Sequence, residues 1–158
     1  MSQTLPLTVR GKAMLEEELK KLIHEERPNV IKDIEEARSH GDLSENAEYD
    51  AAKEKQALVE GRIQDIQGKL AGAEIVDPAK ITSETVVFGA KVRMIDCDAD
   101  EEVTYQIVGV DEADVKSGYI SILSPIARAL IGKKAGDVAI VASPKGEKEY
   151  EVLELIFE

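Results

Sequence analysis

The sequence predicts an α+β protein: a long antiparallel helical hairpin followed by a small antiparallel-sheet domain. Three observations predict it. Apolar residues recur at helical spacing in the first half; Val59, Ile63, Ile66, Leu70 and Ala73 step by four, three, four and three, the stripe of a helix packed along one partner. Only a short polar turn separates the two long helical stretches, so they should be antiparallel neighbours. After residue 77 the pattern changes to short β-branched runs broken by Gly, Asp and Pro, which is strand punctuation.

The first helix is expected to start near Thr8, a residue type suited to an N-cap. It carries Leu15, Leu19 and Leu22, then Val30, Ile34 and Ala37, on its buried face. Pro28 removes one backbone donor and should bend it. The second helix is expected from about Ala47 to Ala73, ~42 Å at ~1.5 Å per residue. Asp77-Pro78 marks the boundary. The hairpin is therefore assigned to residues 1–77, a linker to 78–84 and the globular domain to 85–158. Strands are expected at Val86–Phe88, Lys91–Ile95, through Val103, Tyr105 and Ile107, at Tyr119–Leu123, Val138–Val141 and Tyr150–Phe157. The last run changes phase between Val152 and Leu153, as at a bulge. Ser124-Pro125 reads as an N-cap followed by proline at the first helical position, opening a short helix through Leu130 and Ile131.

Composition narrows the function classes. The net charge is −12 and both halves are acidic. A protein that neutralises phosphates usually carries a basic face, so the expected partner is another protein. No run approaches the ~20 apolar residues of a membrane span, and the start lacks the apolar stretch of a secretory signal. A single cysteine, Cys97, forms no internal disulfide and supports no Cys-based zinc site. The expectation is a reduced, cytoplasmic monomer with no membrane partner.

The turn between the helices is acidic: Gly41-Asp-Leu-Ser-Glu-Asn46 is followed by Glu48 and Asp50. Asp42 and Glu45 have capping-box spacing, with Asp42 accepting a backbone N–H and Glu45 reaching back. Negative charge also suits a helix N-terminus. That accounts for Asp42 and Glu45 more readily than for Glu48 and Asp50. The same two carboxylates suit a hard cation such as Mg²⁺ but are too few to cage one. They would complete a site whose other ligands belong to a partner, with the arm delivering them once the body has docked.

Gly41-Asp-Leu-Ser-Glu-Asn-Ala-Glu-Tyr49, flanked by Glu36-Ala-Arg-Ser-His40 and Ala51-Ala-Lys-Glu54, resembles the tip of the Gre family of bacterial transcript cleavage factors. The resemblance continues through Phe88-Gly-Ala, Ile107-Val-Gly and Ser124-Pro-Ile-Ala-Arg-Ala-Leu-Ile-Gly132, and so covers the chain. It implies a coiled-coil hairpin and an FKBP-like domain that docks at the secondary channel of bacterial RNA polymerase. It implies an acidic tip that helps hold the polymerase's second Mg²⁺ while the polymerase cleaves the extruded 3′ end of its own RNA. The family's tip acids match Asp42 and Glu45, expected to hold metal only within that complex. Arg38, Lys53, Lys55, Tyr49, Ser44 and Asn46 are the expected RNA contacts; the alternatives are solvated, salt-bridged helix faces for the three basic residues, packing at the hairpin end for Tyr49, and service to the turn for Ser44 and Asn46. Ser124, Pro125, Ile126 and Arg128 are expected at the docking surface. Few basic residues lie along the hairpin, which fits the GreA-like branch better than its more basic relative.

Three other readings compete. One is an inhibitor that blocks the same channel, and another a coiled-coil adaptor indifferent to its tip. The third is a prolyl isomerase, whose pocket would need aromatics where residues 81–158 offer only Phe88, Tyr105, Tyr119, Tyr150 and Phe157. Asp96 to Glu102 lacks the glycine and the final glutamate of a calcium loop and is expected to be a charged turn.

Overall fold

The computed structural model describes residues 5–41 and 46–158. The chain divides into two compact units: the residues up to Lys12 together with Glu74–Glu158, and Ala13–Ala73. The expected α+β order is observed, but the division differs from a simple cut at residue 77. Strand β1 (Leu7–Thr8) pairs in parallel with β2 (Ile75–Val76), so the start of the chain belongs with the sheet domain.

The hairpin is built from α1 (Val9–Lys21), whose first turn belongs to the sheet unit, a π-helical turn (Leu22–Glu26), α2 (Arg27–Arg38) and α3 (Ala47–Gly72). The π turn lies just before Pro28, where the sequence predicts a bend. Arg27 N–H bonds Leu22 O, one residue further back than in an α-helix. Proline cannot donate to the carbonyl four residues behind it and its ring crowds that group. A turn with one extra residue relieves the conflict. It also lets both Leu22 and Ile23 pack against the hairpin core of Val30, Val59 and Ile63. Two bidentate ion pairs fix the register. Arg27 Nε and Nη2 each lie 2.8 Å from Glu60 carboxylate oxygens. Arg62 donates to Glu18 at 2.6 and 2.8 Å. The hydrogen bond from Arg27 holds the Glu60 carboxyl below the usual carboxylate range.

The globular unit carries a five-stranded sheet in the order β5-β4-β3-β7-β6. Its strands are β3 (Lys91–Asp96), β4 (Glu101–Val108), β5 (Tyr119–Ser121), β6 (Val138–Ser143) and β7 (Gly146–Ile156). All pairs are antiparallel except β4–β5, so the expected antiparallel sheet ends in one parallel strand. The bulge is where the phase change places it: Arg93 pairs with Glu154 and Met94 with Val152, leaving Leu153 unopposed. Helix α4 (Pro125–Leu130) buries Ala127 and Leu130 among Val92, Met94, Ile107 and Val152. Its cap is the expected one, Ser124 Oγ accepting Ala127 N–H at 3.3 Å.

Val86–Phe88 is not a strand of this sheet. Val86 is instead fully buried, and its backbone exchanges hydrogen bonds with the loop after α4, to Lys133 O at 2.8 Å and from Gly132 N at 2.9 Å. These bonds satisfy the backbone of a buried apolar residue without a ladder. The residues assigned to a linker are also structured: Asp77 caps a short 3₁₀ turn over Pro78–Lys80, and Pro78 is buried.

The β3–β4 connection is the expected charged turn. The Ala99 backbone N–H holds the Asp96 carboxyl below its ordinary range, helped by Asp98 N–H and Lys148. A lowered carboxylate pKa adds stability that is complete above about pH 4 and is lost as pH falls through the folded-state value. Asp96→Asn keeps an acceptor for both amides but has no charge to titrate. In urea unfolding between pH 7 and 2, it should lose less stability on acidification than the parent; an identical pH profile would show that Asp96 contributes nothing to it.

Candidate functional site at the hairpin end

The closed end of the hairpin joins the C-terminus of α2 to the N-terminus of α3. Each helix end leaves backbone groups without intrahelical partners. One side chain serves both. Asn46 Oδ1 accepts the Tyr49 backbone N–H at 3.1 Å, and Asn46 Nδ2 donates to Ala37 O at 2.7 Å. With φ −95° and ψ 97°, Asn46 is the N-cap of α3. Ala37 O also receives His40 N–H at 3.2 Å, so the last turn of α2 is closed from two directions. Gly41, with φ +99°, turns the chain away in a conformation that favours glycine.

The helix starts at the expected Ala47 with an asparagine cap, and the capping-box expectation for Asp42 and Glu45 falls on residues outside the described ones. Glu48 and Asp50, which the sequence reading leaves without a role, sit in the first turn, where the helix dipole favours negative charge. Glu48 Oε2 also lies 3.2 Å from His40 Nδ1 across the helix ends. The two acids that precede the helix, Asp42 and Glu45, lie outside the described residues, as does Ser44.

The basic candidates separate. Lys55 faces an open groove with Asp33, Glu36 and Glu48, floored by Ala37 and Ala52. Lys53 is exposed and donates to Gln56 Oε1 at 3.2 Å. Arg38 is exposed in the last turn of α2, where the dipole favours a cation. Tyr49 is half-buried. For Asn46 the turn role is the one the structure displays, through a contact to Ala37 nine residues earlier that no local pattern signals. Among the described residues no group of three or more His, Cys, Asp or Glu is placed to hold a metal ion.

In the globular unit, Ser124 is engaged by its cap and by donation to Ser121 O at 2.7 Å. Ile126 packs against the core. Pro125 and Arg128 alone of the four docking candidates are exposed. Leu123 and Ile131, missed in the sequence reading, flank the helix at 46% and 41% exposure. The aromatics are committed elsewhere: Phe88, Tyr105, Tyr150 and Phe157 pack against the core, and Arg10 lies 4.0 Å over the Tyr119 ring.

Known proteins resemble both halves. Residues 5–75 match the family described as "Transcription elongation factor, N-terminal", and residues 81–156 match "Transcription elongation factor, GreA/GreB, C-term". The transcription elongation factor GreA of Halorhodospira halophila is 58% identical over 98% of each chain. That of Trichlorobacter lovleyi is 58% identical over the whole of both. Among solved structures, GreA factor homolog 1 of Thermus thermophilus is 28% identical, with 98% of this chain and 99% of that one covered at a TM-score of 0.44. With both halves matched and full-length relatives more than half identical, the chain belongs to the GreA/GreB family of transcription elongation factors.

Proposed function

We propose that this elongation factor enters the secondary channel of bacterial RNA polymerase and stimulates the polymerase's own cleavage of backtracked RNA. The observation that carries the reading is the capping of α3. Asn46 Oδ1 caps the Tyr49 N–H, and Glu48 and Asp50 place negative charge in the first turn. With that cap supplied by Asn46, the carboxylates of Asp42 and Glu45 would be free to serve chemistry at the end of an arm. Helix α3 has 26 residues, a reach of about 39 Å at ~1.5 Å per residue.

Two carboxylates are suitable hard-oxygen ligands for Mg²⁺, which keeps several waters and shares its ligands with substrate phosphates. Such an ion would support the attacking water and offset charge in the transition state. The chain contributes anionic oxygens, placement and a cationic fringe. Arg38, Lys53 and Lys55 would hold the extruded RNA by its phosphates, Tyr49 would offer a face for a base to stack on, and Ser44 would donate near the scissile phosphate. Pro125 and Arg128, beside Leu123 and Ile131, would meet the polymerase rim, one monomer per enzyme.

The test is a stalled, backtracked elongation complex carrying 3′-labelled RNA. Adding the factor should release short 3′ fragments and restore elongation, while factor and RNA without polymerase should give no cleavage. RNA shortening by the factor alone would refute the reading. So would slowed nucleotide addition without fragments, which is the signature of a channel blocker.

A further inference from the structure

We propose that the free edge of β6 is a docking strand for an extended, basic segment of a partner protein; this stands apart from the cleavage reading. Strand β6 (Val138–Ser143) ends the sheet order β5-β4-β3-β7-β6, and among the described residues no strand pairs with its outer edge. Its ladder with β7 has a fixed phase. Val152 N–H donates to Asp137 O at 2.8 Å. Backbone groups alternate along an antiparallel ladder, so Ala139 and Val141 serve β7 while Val138, Ile140 and Ala142 turn their N–H and C=O to the open edge. Folded proteins commonly blunt such an edge with lysine, proline or an inward-pointing charge. Val-Ala-Ile-Val-Ala-Ser has none of these, and its β-branched residues suit pairing. Val138 and Ile140 stay 43% and 54% exposed.

The adjoining strand specifies the charge of the occupant. Opposite Val138, Ile140 and Ala142, and on the same face, β7 sets Glu151, Glu149 and Glu147. None of the three forms an ion pair with a described residue. The cations of β3 and β7 are engaged elsewhere: Lys91 with Glu158, Arg93 with Glu102 and Glu154, Lys148 with Asp96. A strand added beside β6 would lie about 10 Å from β7, at ~4.8 Å per strand. Lysine and arginine side chains suit that gap, because their stems lie on apolar surface and carry the charge beyond it. The stems would cover Val138 and Ile140, and the heads would meet the glutamates. The segment recognised is therefore extended, with lysine or arginine at every second position and small apolar residues between. Main-chain bonds give affinity in this mode, and alternate side chains give specificity. A second copy of this chain would pair β6 with β6 and leave both glutamate ladders unneutralised. Nucleic-acid phosphates would meet like charge.

The probe is a blocked peptide of alternating lysine and valine, long enough to span β6, titrated into the isotope-labelled full chain beside its glutamate–valine counterpart. Amide hydrogen exchange should slow at Val138, Ile140 and Ala142 with the lysine peptide and stay unchanged with the other. Glu147→Gln, Glu149→Gln and Glu151→Gln together should weaken binding about 10-fold at low salt, as expected for three exposed ion pairs. Ile140→Lys, which blunts the edge, should abolish binding, with a thermal melt reporting the fold; the glutamine variant tests the ladder without altering β6. Binding that leaves those three amides unprotected is charge attraction alone and overturns the proposal. Equal binding of the two peptides, or binding of neither, also overturns it. A dimer in sedimentation that Ile140→Lys dissolves would assign the edge to a second copy and overturn it too.

Discussion

Asp42→Asn should abolish stimulated cleavage while leaving a folded factor that still binds polymerase. The substitution is nearly isosteric and removes one negative charge. Asn46 is the N-cap of α3. The effect of Asp42→Asn on stability should stay within the ~0.5 kcal/mol of an ordinary surface substitution. If Asp42 is the anionic ligand proposed above, the cleavage rate should fall by at least the ~10–100-fold seen when a metal's outer-shell groups are removed. Glu45→Gln should behave alike. Single-turnover cleavage at saturating factor, with a binding competition and a thermal melt, reads all three quantities. An aspartate that merely caps a helix predicts the opposite, since asparagine caps as well. Parental cleavage by Asp42→Asn would therefore remove the tip from the chemistry.

The largest stability effect is expected at Glu112. It is 2% exposed, and its carboxylate is surrounded by donors: Thr8 Oγ1 at 2.5 Å, Arg10 Nη1 at 3.3 Å and Gly109 N at 3.3 Å. Thr8 Oγ1 in turn accepts Gly11 N–H at 3.0 Å, so the carboxylate and hydroxyl together close the start of α1. Glu112→Ala leaves Gly109 N–H without its carboxylate acceptor and cuts charge-assisted bonds, at ~1–3 kcal/mol for such a buried group. Arg10, 46% exposed, keeps access to water and limits the loss. The net expectation is roughly 2–4 kcal/mol of destabilisation. Gly11 tests the same packing from the other side. A Cβ there would stand 2.4 Å from Glu112 Oε2. Alanine would gain about 1 kcal/mol of helix propensity, but overpacking costs about 1–3 kcal/mol and would push the carboxylate off its hydrogen-bond partners. Gly11→Ala alone should therefore destabilise. In the Glu112→Ala background it should turn neutral or favourable. The cycle should show a coupling of about 1–3 kcal/mol in urea unfolding. Additive effects would mean the two positions do not crowd each other.

Local signals were legible where local physics decides. Helix α3 begins at the expected Ala47, Ser124 caps α4, and the Leu153 bulge follows from a broken alternation. Pairings set by distant residues were not legible. Strands β1 and β2 contribute two residues each, too few to show a period, and β5 joins β4 in parallel only through tertiary placement. Pro28 was visible, but the π turn that precedes it, with Leu22 and Ile23 both packed on the hairpin core, was not. At the tip, Asn46 caps α3 through Oδ1 and reaches back to Ala37 O through Nδ2, a link across nine residues that no local spacing signals.

The parallel pairing of β1 with β2 has an architectural consequence. It brings Leu7 and Thr8 alongside Ile75 and Val76, so the two points where the chain leaves and re-enters the sheet domain are stitched together by the domain's own backbone. The arm is thus an insertion between neighbouring seams, not a tail hung from one end. Prongs of other lengths or with other tips can be grafted at those seams, and the body that seats them would keep its own closure.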